Sequence, residues 1–197
     1  MRKVKCLLIC IIIYLVMTFG ILAEEPDNVI FTTDEIEILN LVVDTIINVI
    51  LLPPDETIFI NRNLDFSRTN FRTGLSQAQI ENSERFIERN LPHISDELWQ
   101  SLHSFNSQRY IFDPSINFNL SDYQLVNITD DDRRMGLRRG IHFPLLSFSR
   151  IGFNNDRTEA ILEINYYFPR AGSGYFIYLQ KENNNWRIIN RIMIWIS

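Results

Sequence analysis

Four strand-like runs joined by very short connections close this sequence, and they limit the fold more than any other feature. The runs are Phe143–Ile151, Glu159–Phe168, Tyr175–Lys181 and Trp186–Ile196. Their connections are Asn154-Asn155-Asp156, Pro169 to Gly174, and Asn183-Asn184, built from residues that tolerate tight turns and positive φ. A parallel pair needs a crossover of a dozen or more residues, so connections this short dictate an antiparallel meander.

Strand alternation then assigns faces. A two-residue turn at Asn183-Asn184 places Leu179 opposite Ile188 and Gln180 opposite Arg187. Centring the preceding turn between Ala171 and Gly172 places Ile164 opposite Leu179 and Glu163 opposite Gln180. Ala160, Leu162, Ile164, Tyr166, Tyr175, Ile177, Leu179, Ile188, Ile192 and Ile194 then share an apolar face. The other face carries Glu163, Asn165, Tyr167, Phe176, Tyr178, Gln180, Arg187, Ile189, Arg191, Met193 and Trp195. A one-residue slip would scramble both sets.

Upstream, the apolar period changes to that of helices. Thr32-Thr33-Asp34-Glu35 reads as a capping box. Ile36, Leu39, Val43, Ile46, Ile47 and Ile50 follow at helical spacing until Pro53-Pro54. Thr57-Ile58-Phe59-Ile60 reads as a short edge strand, and residues 61–75 as irregular. Ser76 caps a second expected helix running to about Asn90. Ser95 caps a third, with Leu98, Trp99, Leu102 and Phe105. Asn106 to Asp122 reads as loop, Tyr123 to Thr129 as a strand, and Asp130-Asp131-Asp132-Arg133-Arg134 as a solvated turn. Helices followed by a meander give an α+β class, with N-terminal helices packed on one face of a C-terminal antiparallel sheet.

The N-terminus reads as an address. Arg2, Lys3 and Lys5 precede an uncharged apolar stretch from Cys6 to Phe19, and Gly20-Ile21-Leu22-Ala23 leads into Glu24-Glu25-Pro26. That is the pattern of a secretory signal cut after Ala23, leaving residues 24–197 as one domain. The alternative is an uncleaved anchor, because Cys6 to Ala23 makes 18 residues, the lower edge of a membrane span. Both cysteines lie in this segment, so the remaining chain has no thiol. All 24 acidic residues and 16 of the 19 basic ones lie in residues 24–197, a formal charge of −8. This balance argues against a nucleic-acid surface, which needs clustered Lys and Arg. The skew to 29 isoleucines and 19 asparagines against four alanines suggests an AT-rich bacterial source. The matches to a glycosylation motif at Asn119 and Asn127 then read as chance.

Ser149-Arg150-Ile151-Gly152-Phe153-Asn154, Gly172-Ser173-Gly174-Tyr175, Leu179-Gln180-Lys181 with Trp186, and Trp195-Ile196-Ser197 together resemble a group of uncharacterised exported bacterial proteins. The likeness covers mainly residues 145–197 and implies export to the periplasm or the exterior, with no assigned activity. Members of that group tend to carry an aromatic residue where this chain has Glu163. The order of elements is also similar to the nuclear-transport-factor-2-like cone, an analogy of architecture only.

Candidate chemistry is sparse. His93, His103 and His142 form no H-E-x-x-H pattern and have no cysteine to join them, so no metal or other cofactor is expected. Asp130-Asp131-Asp132 lacks the turn glycine and terminal glutamate of a calcium loop. Gly172-Ser173-Gly174 joins two antiparallel strands, whereas phosphate loops open a helix, so positive φ in a hairpin is the simpler reading. No G-x-S-x-G surrounds any serine.

One arrangement could form a site. The expected register puts Ser147, Glu163, Gln180 and Arg187 in a cross-strand row, with Tyr167, Tyr178, Arg191 and Trp195 on the same face. Arg187 and Arg191 would hold an anionic group while the aromatics stack on an apolar part. The plainer reading is an exposed sheet face with cross-strand pairs such as Glu163 with Arg187. The function expected is a non-enzymatic exported module for a small ligand or an envelope protein, touching membrane only through an uncleaved N-terminus. The alternatives are a cone-fold enzyme with Glu163 acting in an apolar pocket, and a structural protein of the envelope.

Overall fold

A computed structural model describes residues 27–50, 57–64, 89–91, 94–106, 110–113, 116–120, 123–128, 144–168 and 171–196. The expected signal, all but the last two residues of the Ser76–Asn90 helix, Asp130 to Arg134, His93 and His142 lie outside these residues. The fold is α+β, with a mostly antiparallel sheet of seven strands.

Helix α1 spans Thr33–Ile50 and opens on the capping box that the sequence dictates. The Glu35 backbone N–H donates to Thr32 Oγ1 at 3.4 Å, and Glu35 Oε2 accepts from the Thr32 N–H at 2.9 Å. Its buried stripe is Ile38, Leu39, Val42, Val43 and Ile46. Each such side chain contributes about 1.5–3 kcal/mol by leaving water. Helix α2 spans Asp96–Phe105, with Ser95 Oγ accepting from the Leu98 N–H at 3.2 Å. At its far end the Asn106 amide donates to Leu102 O and Arg150 O, and accepts from the Arg150 N–H at 2.7 Å. That side chain fastens the helix terminus to the strand layer.

The meander is formed by β6 (Leu145–Phe148), β8 (Glu159–Phe168), β9 (Ala171–Glu182) and β10 (Asn185–Ile196). A two-residue strand β7 (Gly152–Phe153) pairs with the start of β8. Asn183 and Asn184 both have positive φ, 51° and 64°, as the tight hairpin requires. Strand β2 (Ile58–Asn61) was expected at an edge. It lies instead inside the sheet, parallel to β6 on one side and to β5 (Tyr123–Val126) on the other. Parallel partners are distant in sequence, so no local turn signal reveals them. Short strands also interrupt two stretches expected to be irregular. β3 (Asn63–Leu64) and β4 (Tyr110–Phe112) join β1 (Asp27–Val29) in a separate three-stranded sheet.

The helices do not share one face of the meander. Helix α1 packs its stripe with Ala160, Leu162, Ile164, Ile177 and Leu179, while α2 packs Leu98 and Leu102 with Ile161, Phe176, Tyr178 and Ile192. In an antiparallel pair such alternating positions point to opposite faces, so the sheet is covered on both. Asp34 pins the first turn of α1 to the β9–β10 hairpin. Its carboxylate accepts from Lys181 Nζ at 2.8 Å, Trp186 Nε1 at 3.3 Å and Arg157 Nε at 3.4 Å. The Lys181 ammonium holds the Asp34 carboxyl below its usual range. No helix among the described residues is long and apolar enough to cross a membrane.

Candidate functional site

The expected row breaks at the β8–β9 pairing. Near the Asn183-Asn184 turn the register is as expected, with Leu179 opposite Ile188 and Gln180 opposite Arg187. Between β8 and β9, however, Gln180 faces Glu159, and Glu163 faces Phe176. Phe168 faces Ala171, so the register is shifted by four residues from one centred between Ala171 and Gly172. The offset is an even number of residues, which preserves the faces and changes every partner. Ser147 faces Asn165, and the Glu163–Arg187 pair does not form. Arg187 reaches Glu182 Oε2 at 3.1 Å on an exposed edge.

Glu159 takes the place expected for Glu163. Its Oε1 accepts from the Tyr178 hydroxyl at 2.7 Å and from Gln180 Nε2 at 3.2 Å, and Gln180 also donates to the Tyr178 oxygen at 2.7 Å. Burial, with help from the Glu159 hydrogen bond, pushes the Tyr178 phenol up to about 12 from its ordinary 10.0. The native state therefore holds the proton more tightly than the unfolded chain. The stabilisation is whole below pH 10 and is lost as pH rises from about 10 towards 12. Urea midpoints measured across that window are expected to fall more steeply for the native protein than for Tyr178→Phe. Parallel slopes would contradict the buried hydrogen bond.

Tyr178 and Glu163 are not on an open face. Tyr178 is 3% exposed and Glu163 0%, the former beneath α2. Gly152 permits the close approach: a Cβ there would stand 2.6 Å from the Leu102 backbone nitrogen. Asn165 Nδ2 donates to Glu163 Oε1 at 2.8 Å, and Trp195 Nε1 donates to Asn165 Oδ1 at 2.7 Å. Tyr167 lies 5.5 Å from the Trp195 ring. The indole lies against Gly172 and Gly174 of β9. A Cβ on Gly174 would fall onto Trp195 Nε1 and Asn165 Oδ1, and one on Gly172 would come within 3.0 Å of the ring. These glycines are in extended strand, not at positive φ as expected; they make room for a ring.

Two bulges in β10 rearrange what remains. Ile189 and Ile194 have no partner in the β9 register, so the faces switch at each. Arg191 pairs with Ile177 and Met193 with Tyr175, which moves both to the α1 side, while Ile192 turns inward against α2. Trp195 returns to the α2 side opposite Gly174. The sequence carries a trace of this: Ile188-Ile189 and the run Ile192 to Ile196 do not alternate.

The result is a cluster on the α1 side. Tyr166 and Tyr175 stack with ring centres 6.0 Å apart and an 11° tilt, and the Arg191 guanidinium stands 5.1 Å from the Tyr175 centroid. Met193 and Ile196, 44% and 73% exposed, flank it. Burial raises the Tyr166 phenol above its ordinary value of 10.0, with Ser173, Tyr175 and Arg191 as lesser influences. Of the seven residues expected to form a site, Arg191 belongs here, Glu163, Tyr167 and Trp195 surround the buried Asn165, and Tyr178, Gln180 and Arg187 cluster with Glu159 or Glu182.

His103 packs edge-on against Trp99 at 4.8 Å, and among the described residues no three His, Cys, Asp or Glu side chains are placed to hold a metal. A shallow depression of about 450 Å³ lies beside α2, lined by Glu97, Gln100, Ser104, Asn155 and Arg157 among others, and includes none of the expected site residues. No protein-family model, curated protein or solved structure matches the chain.

Proposed function

We infer that this is an exported bacterial recognition module without enzymatic activity, and that the Tyr166–Tyr175–Arg191–Met193 face receives its ligand or partner. The observation that carries this reading is an exposed cation held over Tyr175, one of a stacked, half-buried tyrosine pair, beside the exposed Met193 and Ile196. Aromatic bodies with a charged head are what recognition surfaces use. The N-terminal pattern of residues 1–23 supports export. Glu163, the acid named for the enzyme alternative, is fully buried and bonded to Asn165 on the α2 side of the sheet, away from this exposed face.

A thermal-shift screen of the purified protein against sugars, peptides, lipids, metals and small anions tests the reading. A ligand that binds only the folded chain raises the melting temperature by mass action. Met193→Glu, at an exposed position, is expected to abolish that rise without changing the unliganded melting temperature. A rise that survives Met193→Glu would place binding elsewhere and sink the assignment.

A further inference from the structure

We propose that the Tyr166–Tyr175–Arg191 cluster binds a small soluble molecule bearing one carboxylate or phosphate group on a planar or apolar body. The proposal rests on the recognition reading above and names its ligand chemistry.

Among the described basic side chains Arg62, Arg89 and Arg191 reach no carboxylate; Arg62 donates instead to the Phe112 carbonyl, and of the three only Arg191 lies over an aromatic ring. Arg150, Arg157, Lys181 and Arg187 each reach a carboxylate: Glu35, Asp34, Asp34 and Glu182 respectively. Arg191 is exposed, and among the described residues no carboxylate pairs with it. It lies over Tyr175 instead. Ring stacking occupies the face of a guanidinium and leaves its edge of N–H donors for an oxyanion, which it matches in a bidentate fork.

The neighbours complete the fit. The Tyr166 phenol, raised above its ordinary value by burial, stays protonated at neutral pH and adds no negative charge beside an anion. Met193 and Ile196 stand on adjacent rows of the same face, opposite Tyr175 and Ser173, and offer apolar area to the body of the ligand. A membrane surface fits poorly, because anionic bilayers are held by clusters of roughly four to eight basic residues. One guanidinium in a chain of net charge −5 suits a single small anion.

The test is an NMR titration of the purified protein, reading the Arg191 side-chain Nε–H and the Met193 methyl. Benzoate and phenyl phosphate serve as anionic probes, and benzyl alcohol and benzylamine as neutral and cationic counterparts. Both anions are expected to shift these signals saturably with a Kd of about 1–10 mM, the scale of one charged hydrogen-bonding pair together with ring contact on an exposed surface. Benzyl alcohol and benzylamine are expected to bind about tenfold more weakly or not at all. Arg191→Gln should weaken benzoate about tenfold while leaving the melting temperature unchanged, and Arg191→Lys should recover part of the loss. Benzyl alcohol binding the same signals as tightly as benzoate, or Arg191→Gln binding benzoate normally, would overturn the anion site and leave the face standing as an apolar recognition surface. No saturable shift from any probe would also overturn it, and the Met193→Glu comparison then decides separately whether the face recognises anything.

Discussion

Gly174→Ala is expected to destabilise the protein by about 3 kcal/mol, the sum of an overpacking term and a lost buried hydrogen bond. The added methyl would sit where Trp195 Nε1 meets Asn165 Oδ1, a bond of 2.7 Å. The indole must leave, and Asn165, 0% exposed, would then keep an acceptor that water cannot reach. For a chain of 197 residues this corresponds to a fall in melting temperature of about 6–12 °C. Gly172→Ala is the milder control, since its methyl meets two Trp195 ring carbons at 3.0 Å and the Tyr166 carbonyl oxygen at 3.2 Å, contacts that a slight shift can relieve without breaking the Trp195–Asn165 bond. The chain has three tryptophans, so the Trp195 indole N–H can be followed in a simple proton spectrum. If Gly174→Ala melts with the native protein and that resonance stays in place, no glycine slot holds the indole.

Leu102→Ala is expected to be of similar size or larger, towards the upper end of the roughly 2–5 kcal/mol span for buried leucines. Leu102 is 0% exposed and clusters with Ile161, Phe176, Tyr178 and Ile192. The cost of such a truncation depends on how far the surroundings can collapse into the cavity. Here α2 already approaches Gly152 as closely as a residue without a Cβ allows, so it has little room to settle inward. Gln100→Ala, on the exposed side of the same helix, is expected to stay within about 0.5 kcal/mol of the native protein. Unfolding in urea measures both. Equal stability of the two variants would mean that α2 does not cover this face, and the open surface read from the sequence would return.

The contrast between these two regions explains what could be read in advance. Both helix starts were legible because a capping box and a capping serine act over three residues. The Asn183-Asn184 hairpin was legible because two adjacent asparagines mark a turn with two positive φ values. The β8–β9 register was not. Pro169 to Gly174 offers several turn positions, and Gly172 and Gly174 drew the turn towards themselves although they serve to accommodate Trp195. Faces survived that error because the offset was even; partners did not, and the expected Glu163–Gln180–Arg187 row dissolved.

The bulges carried the larger consequence. Each inserts one residue and reverses the side on which all later residues fall, so Arg191 and Met193 could be assigned only by pairing β10 against β9. A non-alternating run such as Ile192 to Ile196 shows that something breaks the period, but not where. Parallel neighbours such as β2 and β6 were equally hidden, since their hydrogen bonds join segments more than 80 residues apart.

Sequence alone determined the starts of both described helices, the order of the meander strands and its one well-marked turn, because capping, alternation and turn chemistry are short-range and written in adjacent residues. Tertiary structure alone decided which face each helix covers, where β10 slips, and which side chains meet around Arg191. Those outcomes depend on how distant segments pack, and packing is a property of the assembled layers that no window of sequence contains.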